Sequence, residues 1–252
     1  MTVRLLSYNV RYAELDTGTD VWPERRDGVA SVIAFHDPDI ICLQEVWQGQ
    51  LDDFRERLPA YEWACIRAFD GEHTPIGYRP ERFDVLEHSA FSLSETPDDL
   101  TAIDWDSAIP RVTTEATFHD AESDEQFAVI STHFDHVSEA ARERSAELLA
   151  DRIADRSIPT LLAGDFNCTP EDTPYETLTD AGLADARTRA EAPHGPETTF
   201  NHFEGARPEK RIDHVFLPES VGVERFGVRT DLDARARYPS DHFAVLVECA
   251  LP

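Results

Sequence analysis

The stretch Thr160-Leu161-Leu162-Ala163-Gly164-Asp165-Phe166-Asn167 is an apolar run that breaks off into Gly-Asp-Phe-Asn. Bounded by Pro159 and Pro170, it reads as a buried strand. Strand side chains alternate between faces, so Asp165 and Asn167 project to one side and Phe166 to the other. An acceptor beside a donor-acceptor, at the end of a rigid strand, suits a site that holds a water and a phosphoryl oxygen together. Turn chemistry alone also places Gly, Asp and Asn at strand ends, so the weight comes from the rest of the chain.

Residues 3–12 alternate and end in Ser7-Tyr8-Asn9-Val10-Arg11, a strand with Asn9 near its end. Pro23 suits the first turn of a helix over residues 24–35, with Val29, Val32 and Ile33 on one face. Residues 40–46 form another buried strand, and Glu45 follows its apolar run. A buried carboxylate is rare unless it is paired or binds metal. Residues 48–58 read as helix, with Leu51, Phe54 and Leu58 in register.

Residues 61–69, 74–79, 83–93 and 111–118 are strand candidates, close enough in sequence for antiparallel hairpins or a meander. Glu72 opens the second of them. Polar residues 94–110 form a long surface loop of the kind that borders a cleft. The strand at 126–130 runs into Ser131-Thr132-His133-Phe134-Asp135-His136, where His133 and Asp135 share a face and His136 lies on the other. A helix over 138–154 precedes the strand at 160–167. A short helix follows at 175–183, then a loop over 187–205 with His194 and His202 exposed. Residues 211–217 form a strand with Asp213 inside it, and 221–228 form another. The closing strand, 243–247, is entered through Ser240-Asp241-His242.

No repeat, low-complexity tract or linker separates two cores, so one domain is expected over residues 1–252. Strand-helix-strand, a run of strands and a similar second half predict a layered α/β arrangement, with two sheets face to face and helices outside. No apolar run approaches membrane-spanning length, and residues 1–6 lack the length and cleavage site of a signal peptide. A cytoplasmic protein with no membrane contact is therefore expected. Cys42, Cys65, Cys168 and Cys249 form no CxxC pair and suit small buried hydrophobes in a reducing compartment. The 50 acidic residues outnumber 23 basic ones for a net charge of −27, and Lys210 is the only lysine. Acid spread over the whole chain repels polyanions and is well screened in molar salt, where the Debye length is about 3 Å. A salt-adapted intracellular protein from a halophile is the expectation; an acidic surface for a cationic partner is the alternative.

Carboxylates and amides at strand ends favour a hard divalent ion, Mg²⁺ or Mn²⁺. Zinc would need three or four His and Cys ligands; His133-x-x-His136 offers two, and no cysteine motif completes the set. The motifs Ser7-Tyr8-Asn9-Val10, Leu43-Gln44-Glu45-Val46, Ser131-Thr132-His133, Gly164-Asp165-Phe166-Asn167, Arg211-Ile212-Asp213-His214 and Ser240-Asp241-His242 resemble, in order and across almost the whole chain, the endonuclease/exonuclease/phosphatase superfamily. The resemblance implies a four-layer α/β sandwich of two mixed β-sheets, and Mg²⁺- or Mn²⁺-dependent hydrolysis of a phosphate ester. It implies Glu45 as principal metal ligand, with Asn9 and Asp241 nearby. Asp165 would orient or deprotonate the attacking water, and Asn167 would bind a phosphate oxygen. His242, held by Asp213, would contact the scissile phosphate. His133 would be a second phosphate-facing histidine, with Glu72 as its partner.

These roles agree with the chemistry, because a cation and two imidazoles offset charge that builds on phosphate in the transition state. A two-metal phosphoesterase of the calcineurin type needs Gly-Asn-His-Asp/Glu and Gly-Asp-x-His, and neither occurs. A catalytically inactive binding protein on the same fold is permitted by fold alone, but need not keep every polar strand end. A phosphate ester, either a small molecule or nucleic acid, is the expected substrate, and a monomer the expected state. A nuclease working on DNA or RNA ends needs phosphate-binding Lys and Arg along a groove. Arg142/Arg144 and Arg207/Arg211 could contact phosphates, although the first pair also reads as a solvated helix face.

Overall fold

Alternate side chains of the first strand, β1 (Thr2–Asn9), enter two different cores. Val3 and Leu5 pack into one and Leu6 and Tyr8 into another. In the computed structural model, which describes residues 2–14, 16–47, 49–67 and 70–252, β1 is followed by α1 (Trp22–His36), β2 (Ile40–Gln44), α2 (Gln50–Arg57), β3 (Glu62–Ala64), β4 (Ile76–Tyr78), β5 (Phe83–Ser92), β6 (Val112–Asp120), β7 (Glu125–His133) and α3 (Glu139–Ala154). Then come β8 (Thr160–Asp165), α4 (Thr173–Asp180), β9 (Leu183–Asp185), α5 (Ala186–Arg189), β10 (Asp213–Pro218), β11 (Gly222–Arg229) and β12 (Ala244–Ala250).

Two six-stranded sheets result, ordered β11-β12-β1-β2-β4-β3 and β5-β6-β7-β8-β10-β9. Both are mixed: β1 runs parallel to β2 and β7 parallel to β8, while the other pairs are antiparallel. The inner core lies between the sheets, where Val3, Leu5 and Val245 meet Phe118, Phe127 and Leu161. Outside the first sheet, Leu6 and Ile41 pack on Val29, Ile33 and Phe54 of α1 and α2. Outside the second, Leu162 and Phe166 pack on Leu149 and Leu178 of α3 and α4. Each fully buried Leu or Phe is worth about 1.5–3 kcal/mol, and the period-two pattern supplies such residues to both faces of each sheet. The expected four-layer α/β sandwich is the observed one. Among the described residues no helix is long and apolar enough to cross a membrane.

Some bounds differ from the sequence reading. β1 stops at Asn9 rather than at residue 12, because Arg11 turns left-handed at φ 59°. The strand expected over 61–69 keeps only Glu62–Ala64; its far end, Ala68 and Phe69, lies outside the described residues, as does Gln48 at the start of the expected helix over 48–58. Glu72 precedes β4 instead of opening it, held near β2 by an antiparallel bridge between Val46 and His73. A short helix, α5, takes up the first residues of the loop expected over 187–205.

Parallel neighbours end at the same edge of a sheet, and an antiparallel neighbour begins there. The ends of β1, β2, β7 and β8 and the starts of β10 and β12 therefore meet at one end of the sandwich. Gly164 makes that close packing possible: a Cβ at this position would stand 2.1 Å from the Thr132 carbonyl oxygen on β7. Backbone cannot rotate away as a side chain can, so Gly164→Ala is expected to destabilise the protein by about 1–3 kcal/mol and to displace the strand that ends in His133. Urea unfolding of the variant would show this, and an unchanged midpoint would disprove the contact.

Candidate active site

Asn9, His133, Asp165 and Asp213 continue the inner faces of their strands, so they point between the two sheets. Glu45 and His242 follow the alternation of outward-facing Leu43 and Ala244, and reach the same cleft because they lie just outside β2 and β12, Glu45 in a left-handed turn. Asn9 Nδ2, at the end of β1, donates to Glu45 Oε1 at 2.9 Å and to Asp165 Oδ2 at 2.9 Å, tying the first sheet to the second. Glu45 sits just past β2 in a left-handed conformation (φ 59°), and its Oε2 accepts from the Tyr12 N–H at 2.9 Å. Burial alone would raise Glu45. His133, the Tyr12 N–H, Asn9 and His242 outweigh it and lower the carboxyl to about 2.

Asp165 Oδ2 lies between two imidazoles, 3.4 Å from His133 Nε2 and 3.7 Å from His242 Nε2. Each ring is held on its other nitrogen by a carboxylate. His242 Nδ1 faces Asp213 Oδ2 at 2.9 Å, across the two sheets, and His133 Nδ1 pairs with Glu72 Oε1. Burial opposes a proton on His242, but Asp213 and Asp165 raise its pKa well above 6.5. His133 is raised too: burial and Arg111 oppose its proton, while Glu72 and Asp165 favour it. Both rings thus favour the cationic form. Asn167, left-handed at φ 47°, donates its backbone N–H to Asp165 Oδ1 at 2.9 Å and has its amide nitrogen 3.1 Å from His133 Nε2. Phe166 points the opposite way, into the core under α3 and α4.

Asp241 is buried directly before His242. Burial raises its carboxyl; His242 opposes this and Glu45 adds to it. Two neighbouring carboxylates are hard oxygen donors, and Glu45 and Asp241 fit a divalent ion of the Mg²⁺ or Mn²⁺ type on that chemistry. Asn9 turns its Nδ2 to Glu45 and its Oδ1 to the Arg11 N–H, so it would join them as an oxygen donor only with that oxygen turned towards the ion. Asp165, Asp213 and His242 also bring ligand atoms within 4.8 Å of one another. There, however, Asp213 and His242 bind each other, which suits a catalytic dyad better than a metal cage. The alternative zinc pair fails on charge. Arg111 donates to His136 Nδ1 at 2.7 Å and stands 3.1 Å from His133 Nδ1, so a guanidinium occupies the space between the rings.

All nine residues singled out from the sequence gather here. Seven line a cleft of about 500 Å³ or its floor, namely Glu45, Glu72, His133, Asp165, Asn167, Asp241 and His242, and Asn9 and Asp213 lie behind them. A larger hollow of about 830 Å³ beside Arg187 and Arg211 contains none of them. Tyr12, Trp47, Phe200 and Ile212 give the cleft an apolar wall, with the Tyr12 and Trp47 rings 4.5 Å apart. The sequence reading passed over two arginines. Arg11 pairs with Asp241 at 3.3 Å, and its N–H caps Asn9 Oδ1 at 3.0 Å. Arg111, which is buried, donates to Glu72 at 3.0 Å. The signal for Arg111 was an arginine opening a strand whose first residues, Val112-Thr113-Thr114, are β-branched and buried, since a buried guanidinium requires acids around it. By contrast, Arg144 and Arg207 pair with Glu147 and Glu204 on the surface, Arg142 donates to the Asp135 carbonyl at 3.1 Å and Arg211 binds buried Asp185, and none of the four lines the cleft.

Asp135 is a structural member of the same wall. Its Oδ1 accepts the Val137 and Ser138 N–H groups at 2.9 and 2.7 Å, and its Oδ2 accepts the Ala108 N–H at 3.0 Å and faces Arg111 Nε at 3.4 Å. Burial alone would raise it; the three N–H groups and Arg111 outweigh that and lower it from 3.8 to about 2. A carboxyl lowered by folding stabilises fully above its unfolded value, and loses that contribution as the pH falls through the folded one. Asp135→Asn is therefore expected to cost about 1–2 kcal/mol at pH 7. The gap to the wild type should narrow steadily as the pH falls from about 4 towards 2. Urea titrations of both proteins across that window would check it, and a gap independent of pH would refute it.

The sequence pattern of the Endonuclease/Exonuclease/phosphatase family matches residues 6–242. The chain belongs to this family. A mannosyl-6-phosphatase from Bacteroides thetaiotaomicron is 34% identical to it with a TM-score of 0.91, the match covering 99% of this chain and 100% of that one. The family protein from Bacteroides vulgatus is 32% identical with a TM-score of 0.94, covering 100% of both. An uncharacterized mimivirus protein is 30% identical over 171 residues, 62% of this chain and 63% of its own length. The chain spans less than two thirds of the length of the curated relatives it matches. Family membership accounts for the order of the polar strand ends, since the match runs from β1 to His242.

Proposed function

We propose that this family member is a divalent-metal-dependent hydrolase of small phosphate monoesters. The observation that carries the reading is Asp165, a carboxylate bracketed by two carboxylate-backed imidazoles and joined to Glu45 through Asn9. A bound Mg²⁺ or Mn²⁺ at Glu45, Asp241 and Asn9 would supply charge neutralisation at phosphate oxygen. The chain's own side chains supply the rest. Asp165 takes the proton of a water aimed in line at phosphorus. His133 and His242, as imidazolium ions, face the phosphoryl oxygens and offset their growing charge as the bond from phosphorus to the ester oxygen breaks. The leaving oxygen takes a proton from solvent water, so the products are the alcohol and inorganic phosphate. Asp213 and Glu72 hold those rings in one orientation, and the Asn167 amide adds a neutral donor.

A small ester is favoured over nucleic acid by two observations. One side of the cleft is an apolar wall and both of its arginines are paired with acids, and a net charge of −27 opposes polyanion approach. The 34% identity to a mannosyl-6-phosphatase over nearly the whole chain supports a hexose phosphate as substrate. The dispersed acid supports work in the salt-rich interior of a cell, as a monomer. A panel in molar KCl with Mg²⁺ or Mn²⁺ tests this, comparing hexose 6-phosphates, bis(p-nitrophenyl) phosphate and short single-stranded DNA. Release of inorganic phosphate from the sugar esters is expected. Preferential cleavage of DNA would move the reading to a nuclease, and no metal-dependent hydrolysis at all would leave an inactive binding protein.

A further inference from the structure

We propose that Lys210 is the residue that captures the substrate's phosphate at the mouth of the cleft, a role that rests on the hydrolase reading above. Arginine makes up 22 of the 23 basic residues, and the only lysine in the chain lines the cleft beside Phe200, Ile212 and His242. The other cations of that cleft are already engaged. Arg11 pairs with Asp16 and Asp241, and Arg111 with Glu72 and Asp135. Lys210 is exposed, and its ammonium has no ion pair or hydrogen bond among the described residues.

Its backbone, in contrast, is fixed. The Lys210 carbonyl accepts the Thr199 and Phe200 N–H groups at 3.0 and 3.2 Å and the Thr198 hydroxyl at 2.9 Å. A flexible stem with a free positive end thus extends from a backbone held by three hydrogen bonds, one of them to Phe200, whose ring stands 5.1 Å from that of His242. The choice of residue has a physical reason. On a surface this acidic an arginine fork is readily held by a carboxylate in a bidentate pair, whereas the ammonium is a strongly hydrated point charge that stays mobile. For an anion approaching an acid-rich cleft, the unneutralised cation is the first attractive contact.

Lys210→Ala is expected to raise KM roughly 5- to 10-fold at 50 mM KCl with kcat within about twofold, and the effect should shrink below about twofold in 2 M KCl. Lys210→Arg is expected to recover most of the low-salt KM. A second measurement needs no turnover. With one lysine in the chain, an amine-acylating reagent followed by peptide mapping reads Lys210 directly, and inorganic phosphate with Mn²⁺ should slow its acylation while leaving the N-terminal amine unaffected. An unchanged low-salt KM in Lys210→Ala, or acylation indifferent to phosphate, overturns the assignment. If phosphate protects Lys210 in a wild type that hydrolyses no ester, anion capture stands and the hydrolase reading falls.

Discussion

Asp165→Asn is expected to lower kcat by about 10³-fold, the range for removing a positioned general base, while Tm moves by only a few degrees. The carboxylate meets four of the other site residues, Asn9, His133, His242 and Asn167. Its Oδ2 accepts from Asn9 and lies near His133 and His242, and its Oδ1 accepts the Asn167 N–H. An amide keeps the shape but cannot take a proton from water, and it turns a donor towards groups that themselves donate. The fold tolerates the change because the backbone of β8 is paired on both sides, to β7 and β10. The variant should also report on its neighbours. Asp165 is one of the charges that raise His133 and His242, so the alkaline limb of any residual activity should move to lower pH. Single-turnover assays over pH 5–9 would measure both effects (the window is about that in which imidazoles titrate). A variant retaining a tenth of wild-type activity would remove Asp165 from the chemistry.

Glu45→Gln is the second large effect, because it changes the charge of the oxygen set without changing its shape. The wild type is expected to lose activity by about 10³-fold on chelation and to regain it with Mg²⁺ or Mn²⁺. Glu45→Gln should remain about that far down in millimolar metal, and should need at least about tenfold more Mn²⁺ for half-maximal rescue. A second readout is thermal. Saturating Mn²⁺ should raise the wild-type Tm, since a ligand that binds only the folded state stabilises it, and the rise should be lost in Glu45→Gln. Asn9 donates to Oε1 and the Tyr12 N–H to Oε2, so the one amide oxygen of glutamine keeps one of these bonds and loses the other. The metal-free variant should still fold, at a cost of about 1–3 kcal/mol. Full wild-type activity after exhaustive chelation would end the metal assignment.

Much of this site was legible in the residue order. Apolar runs that stop at Asn9, Glu45, His133 and Asp165, or that start after Asp213 and Asp241-His242, mark the ends of strands, and a polar group at a buried strand end is costly unless it has a partner or a task. Glu72 was reachable only through the family resemblance, because nothing local distinguishes it from a solvated acid. Its position depends on the bridge between Val46 and His73. Arg11, Arg111 and Asp135 were not read as site residues, because their partners lie in segments that local pattern treats as turn, loop and helix cap. Asp135 is a case in point: its acceptors hold residue 108 in the long loop and residues 137 and 138 before α3, a junction that forms only when the loop folds back.

By itself the sequence determined that Asn9, His133, Asp165 and Asp213 face the space between the sheets, since strand alternation is a local property with period two. Glu45 and His242 are out of that phase with Leu43 and Ala244, and only the backbone beyond β2 and β12 turns them into the cleft. Asp165 and Phe166 had to part company whatever the fold. Only the tertiary structure decided that β8 would lie between β7 and β10, and β1 between β2 and β12. That order brings Asp213 within 2.9 Å of His242 and Asn9 within 2.9 Å of Asp165. Strand pairing joins residues separated by most of the chain, through backbone hydrogen bonds that are alike at every position. The choice of neighbours therefore emerges from the packing of the whole core rather than from any one stretch.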